Sequence, residues 1–202
     1  RDYSERYLRD IRQTCSYLVS ENFFGILRKK AHENGMKLYA ESCGGSGAGV
    51  FVADALQHYF HVDYPMTEAG RPMREAVSAS RTTGNPIVAM ESYTQGGGAN
   101  WADSPRSLKT MGDAWFCDGI TRIVFHTYAH NPDLNALHPG PAFWKYGLPF
   151  SRGQTWWKSG SAWISYLSRC QFLLQQGIPV ADVLYWYGEE PAGPIPDVFE
   201  SR

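Results

Sequence analysis

The chain has 202 residues, a net charge of −1 and an aromatic content of 14%. That length suits one domain with a substantial core. So small a net charge offers no field to draw nucleic acid or an anionic membrane, and without a run of about 18 apolar residues no membrane-spanning helix is expected.

In chain order, Leu8, Ile11, Cys15 and Leu18 recur at helical spacing, and a second helix is expected over 21–33, stopped by Asn34-Gly35. Residues 36–41 read as a short strand ending in Glu41, followed by a glycine-rich loop over 44–49 and a helix to about Tyr59. Residues 61–66 read as extended, with Glu68 just beyond them. Pro72 suits the first turn of the next helix, which ends near Gly84. Residues 86–91 form the clearest strand and end in Glu91.

Ser104-Pro105 opens a helix with Leu108, Met111 and Trp115 on one face, closed by Gly119. A strand over 120–125 ends at His126, and a long loop follows over 128–154. A helix then places Trp163, Leu167, Cys170 and Leu174 on one stripe, with Gly177 after it and a fifth strand expected over 180–187. Alternating helices and short apolar strands indicate a parallel sheet covered on both faces. Five strands are too few for a closed eight-stranded barrel. The expected fold is therefore α/β, the C-terminal part of a (β/α)8 TIM-type barrel over 1–188. Residues 189–202 are an exit segment or linker to a missing domain. A doubly wound open sheet is the alternative. The chain opens at Arg1 within a helical pattern and so reads as a piece of a longer protein.

The cysteines at 15, 43, 117 and 170 form no Cys-x-x-Cys pair, which removes the main support for zinc-ribbon and thioredoxin readings. Cys15 and Cys170 fall on apolar helix faces, where a buried thiol acts as a small hydrophobe. The loop at Gly44-Gly45-Ser46-Gly47-Ala48-Gly49 has the wrong spacing for a dinucleotide fingerprint, and no Gly-Lys-Ser/Thr follows it. No nucleotide cofactor is expected. His126, His130, His138 and Asp133 gather near one loop without the spacing of a zinc site.

The chemistry-bearing pattern is the polar residue at strand ends: Glu41, Glu91 and His126, with Glu68 in a comparable position. Barrel active sites occupy the C-terminal ends of the strands. Paired carboxylates are what glycosidic cleavage needs, one as proton donor and one to activate water or attack the sugar. Seven Trp and twelve Tyr suit sugar faces, which pack their C–H groups on aromatic rings. Trp101, Tyr93 and Trp156, with His126, are the candidate substrate contacts, and Trp144 and Trp157 lie in the same loops.

The stretches Glu41-Ser42-Cys43-Gly44-Gly45, Asp63-Tyr64-Pro65-Met66-Thr67-Glu68, Val88-Ala89-Met90-Glu91-Ser92-Tyr93-Thr94, Phe116-Cys117-Asp118-Gly119-Ile120, Val124-Phe125-His126 and Arg152-Gly153-Gln154-Thr155-Trp156-Trp157 stand in this order. Together they resemble the α-L-rhamnosidases of glycoside hydrolase family 106 and related large bacterial polysaccharide-degrading enzymes. The resemblance implies a barrel hydrolase that removes L-rhamnose from plant polysaccharide by inversion, with calcium near the sugar, in the periplasm or outside the cell. It implies Glu68 and Glu91 as acid and base, and Glu41 as a third catalytic candidate or substrate ligand. It also implies partner segments, the missing N-terminal barrel strands and β domains, without which the isolated piece would be inactive and prone to aggregate. A non-catalytic carbohydrate-binding or inactive barrel fragment, or another metal-dependent barrel hydrolase, are the competing readings.

Overall fold

The structure, a computed structural model, describes residues 2–42, 54–68, 73–94, 101–132, 140 and 148–186. Cys43, the glycine-rich loop, Pro72, Asp133, His138, Trp144, Tyr187 and the tail over 189–202 lie outside the described residues. The chain divides into two compact units, Arg1–Val88 with Ile178–Arg202, and Ala89–Gly177.

In the first unit, α1 (Asp2–Val19) runs through a π-helical turn (Ser20–Gly25) into α2 (Ile26–Glu33). The sequence suggested two separate helices, the second over 21–33, and Ser20 lies where they would part. Its hydroxyl instead donates to the Ser16 carbonyl (2.9 Å), so the serine is satisfied inside the helix. Ser16 in turn donates to Gln57 Oε1 and accepts from the Asp54 N–H, both at 2.9 Å. The buried side of this rod is thus polar at Ser16 and Ser20, while the expected apolar stripe of Leu8, Ile11 and Leu18 is exposed. Cys15 and Cys170 are half-buried rather than buried, and Cys117 is exposed.

The helix ends follow the sequence signals. After α2, Gly35 adopts φ +68°, with Gly35 N–H bonded to the His32 carbonyl and Met36 N–H to the Ala31 carbonyl. This is the Schellman closure, which needs a left-handed residue. The same pair of bonds closes α4 (Met73–Thr83) at Gly84 and α5 (Pro105–Cys117) at Gly119. Each closure turns the chain into a strand.

β1 (Tyr39–Glu41) and β2 (Tyr64–Glu68) pair in parallel, with α3 (Ala55–Tyr59) between them in sequence. Asp63 fixes their entry. Its carboxylate accepts from the Leu38 N–H (2.8 Å) and meets Arg28 Nε (3.2 Å) and His32 Nε2 (2.8 Å). Burial pushes this carboxyl up, but the Leu38 amide, His32 and Arg28 outweigh it and hold the group below the ordinary range.

In the second unit, β3 (Ala89–Ser92) and β4 (Arg122–Phe125) pair in parallel, joined through α5. A 3-10 turn (Trp157–Ser159) leads into α6 (Ser161–Leu174). The core is aromatic: Tyr93 meets Trp115 (ring centroids 5.0 Å apart) and Trp163 (5.5 Å), and Phe125 meets Phe150 (4.3 Å). Trp163 and Leu167 of the α6 stripe are buried, as expected, whereas Leu174 is exposed. In α5, Leu108 and Trp115 are buried, but Gly112 takes the inward place expected of Met111.

The strands and helices alternate as the sequence indicated, and both strand pairs are parallel, so the chain is α/β and consistent with part of a (β/α) barrel. The fifth strand does not form among the described residues. Residues 178–186 carry no strand, and Val180, Leu184 and Trp186 are exposed. Gln171 Oε1 of α6 accepts from Ile123 N–H (2.7 Å), and beyond the strand Thr127 exchanges bonds with Leu148 and Phe150. Among the described residues no helix is long and apolar enough to cross a membrane.

Candidate functional site

Strand register sets which side chains share a face. In the first unit, Glu41 at the end of β1 lies opposite Met66 of β2, and Glu68 is two residues further along. Aligned residues of parallel strands point the same way, so Glu41, Met66 and Glu68 share one face, with backbone positions of the two glutamates roughly 8 Å apart. The same face carries the Tyr39–Tyr64 ring contact at 4.6 Å. It is half-buried along β2, whereas the alternating Pro65 and Thr67 are buried. Both carboxylates therefore stand at the C-terminal ends of parallel strands on the more open face.

The second unit repeats the arrangement. Glu91 lies opposite Val124, and His126 is two residues beyond Val124 on the same face. Glu91 Oε1 accepts from Thr94 Oγ1 (2.8 Å) and stands 4.0 Å from His126 Nε2, with both side chains part-exposed. The His126 N–H donates to the Ser92 carbonyl (3.0 Å), which fixes the histidine level with the end of β3. A carboxylate and an imidazole set side by side can bind adjacent sugar hydroxyls or exchange a proton with a reacting oxygen.

The expected aromatic contacts divide. Tyr93 belongs to the core rather than to a cleft wall. It is 1% exposed and surrounded by Trp115, Phe125, Phe150 and Trp163. Its φ of +65° turns the side chain inward just past the end of β3, and burial, then Asp113 and Tyr166, push its hydroxyl pKa up. Trp156 is half-buried, donates from Nε1 to the Asp103 carbonyl (2.9 Å) and packs against Trp157 and Trp163. Trp101 is half-buried in the turn before α5, and His130 is exposed.

One buried pair was not read from the sequence. Ser42 Oγ lies 2.9 Å from His58 Nδ1, directly after Glu41. Burial, with His61 nearby, lowers the His58 pKa to about 4, so the ring is neutral near pH 7. Ser42 N–H also donates to the Tyr59 hydroxyl (3.3 Å), which donates to the Met66 carbonyl (2.7 Å). These bonds fasten the residue after Glu41 to α3 and to β2. No spacing in the sequence ties Ser42 to His58, because the contact spans sixteen residues.

Calcium takes about six to eight oxygen ligands. Among the described residues no three His, Cys, Asp or Glu side chains come together to hold an ion.

Comparison with known proteins agrees with this architecture. A rhamnosidase from Novosphingobium sp. PP1Y superposes with a TM-score of 0.85 and 33% sequence identity, over 94% of this chain and 19% of that one. A Formosa agariphila protein named for beta-glucuronidase activity is 36% identical over 192 residues, which is 93% of this chain and 16% of that protein. The chain thus spans less than a fifth of the length of either relative. The family model of glycoside hydrolase family 106, alpha-L-rhamnosidase, matches residues 1–200, and the chain belongs to that family.

Proposed function

We propose that this chain forms part of the catalytic barrel of a larger α-L-rhamnosidase that trims side chains from plant polysaccharide. The observation that carries this reading is Glu91 on β3, 4.0 Å from His126 just past the end of β4, at the C-terminal ends of two parallel strands. Family membership supports it independently. In the proposed reaction one glutamate protonates the glycosidic oxygen as the C–O bond breaks. The other takes a proton from the water that attacks the anomeric carbon from the opposite face, which inverts the configuration. Glu68 and Glu91 supply these two roles, and Glu41 binds substrate hydroxyls as the third carboxylate. His126 holds a sugar hydroxyl beside Glu91. The remaining barrel strands and the β domains come from the rest of the larger protein.

The relative named for beta-glucuronidase activity raises a second substrate, a β-glucuronide, for the same carboxylate chemistry. Proton NMR of the freshly released sugar tests both readings. The full-length protein is given an aryl α-L-rhamnoside and, separately, an aryl β-D-glucuronide. Release of β-L-rhamnose as the first anomer is the expected result. Cleavage of the glucuronide alone would replace rhamnose as the substrate, and cleavage of neither would overturn the reading.

A further inference from the structure

The second unit holds a cleft of about 290 Å³ lined by Tyr128, Ala129, Asn131, Ser151, Arg152 and Trp157. Its walls are brought together by backbone bonds just beyond β4. Thr127 N–H donates to the Leu148 carbonyl (3.0 Å), Leu148 N–H to the His126 carbonyl (3.1 Å) and Phe150 N–H to the Thr127 carbonyl (3.1 Å). This short ladder sets Ser151 and Arg152 across from Tyr128, two residues along the chain from His126.

The lining combines two kinds of group. Tyr128 is 62% exposed and Trp157 40%. Two exposed rings in a concave site offer flat apolar faces to sugar C–H groups. Arg152 adds a positive charge. Its Nη2 donates to the Asn131 carbonyl (2.7 Å), which orients the guanidinium, yet that group carries five N–H donors in a planar fork. The fork matches a carboxylate or a sulfate with two parallel bonds. Among the described residues no Asp or Glu lines the cleft. A neutral sugar would be served by the Ser151 hydroxyl and the Asn131 amide alone, so the fixed arginine selects for charge.

We propose that this cleft is a subsite for an anionic sugar residue, its charge a carboxylate or a sulfate ester, adjoining the sugar bound at Glu91 and His126. This rests on the reading of the chain as part of a carbohydrate hydrolase. Tyr128 and Trp157 hold the ring, and Arg152 reads the charge.

Calorimetric binding tests it without requiring turnover. The full-length protein is titrated with an oligosaccharide of rhamnose and a uronic acid, with its carboxyl-reduced counterpart, and with a sulfated neutral counterpart. The wild-type protein should bind at least one anionic form about tenfold or more tightly than the reduced form. Which anionic form is preferred identifies the source of the charge. Arg152→Gln should bring the three affinities to within about twofold of one another, and Trp157→Ala should weaken charged and neutral forms by similar factors. Equal binding of all three forms by the wild type, a preference that survives Arg152→Gln, or no binding of any would overturn the subsite. Failure to cleave rhamnosides would overturn the hydrolase reading and leave this binding result to be judged separately.

Discussion

At Asp63 one carboxylate gathers Arg28, His32 and the Leu38 amide where β1 and β2 begin. Asp63→Ala should cost about 2–3 kcal/mol, read from the urea midpoint, because charge-assisted bonds are lost and the Leu38 N–H is left unmet. His58 gives a pH signature. Its folded pKa of about 4 lies below the 6.5 of an unfolded histidine, so the unfolded chain binds the extra proton. That contribution is fully present above pH 6.5 and is lost as pH falls towards 4, by roughly 3 kcal/mol in all. Unfolding of a His58→Asn variant at stepped pH should lack this slope. Asp63, whose folded pKa is depressed, contributes stability above the unfolded carboxylate range and loses it at still lower pH. Tyr93 and Gly112 form a third test. A Cβ at position 112 would sit 2.5 Å from the Tyr93 hydroxyl and 3.6 Å from Cζ. Gly112→Ala should therefore destabilise by about 1–3 kcal/mol alone, and be neutral or stabilising in a Tyr93→Phe background. Tyr93 itself shows why single site residues are hard to read from sequence. It follows a strand end, where cleft residues stand, but a left-handed φ that non-glycine residues seldom adopt carries it into the core.

Among the elements, the glycine-terminated helices were legible because the Schellman closure imposes one residue type at one place. Gly119→Ala, at φ +102°, should cost about 1 kcal/mol in thermal unfolding. Gly177, read from the sequence as a similar terminator, has no left-handed φ and nothing within 4 Å of an added Cβ, so Gly177→Ala should be neutral. The acids near the strand ends were legible less sharply: Glu41 ends β1 as read, Glu68 ends β2 although the extended run was read to stop at Met66, and Glu91 stands one residue before the end of β3. The continuity of the rod from α1 to α2 was not, since Ser20 at the junction is satisfied inside the helix by the carbonyl four residues back, a bond that periodicity does not carry. The segment read as a strand over 180–187 carries none over its described residues 180–186, because apolar alternation records strand propensity, whereas a strand also requires a neighbour to pair with. The Ser42–His58 pair and the Arg152 cleft depend on contacts between distant segments, which periodicity does not carry.

For the molecule as a whole, the apolar surface is the clearest sign of segments beyond this stretch. Leu8, Ile11, Leu18, Phe23 and Ile26 are 41–56% exposed along the first rod, and Phe172 and Leu173 of α6 are 64% and 68% exposed. Exposed apolar area on this scale marks a missing partner or an aggregation hazard. The 202-residue chain expressed alone should self-associate in sedimentation and bind a hydrophobic dye, whereas the full-length protein should do neither. A dye-silent, cooperatively unfolding monomer of the isolated chain would show that these faces need no cover. Whether carboxylates at the strand ends cleave a glycosidic bond is read from the kcat of the full-length Glu91→Gln variant on an aryl α-L-rhamnoside. Glutamine keeps the volume and the Thr94 hydrogen-bond acceptor but cannot exchange a proton with water or the leaving oxygen. With Glu91 as acid or base, kcat should fall about 10²–10⁴-fold with KM changed only a few-fold, and a kcat within about threefold of the wild type would remove Glu91 from the chemistry.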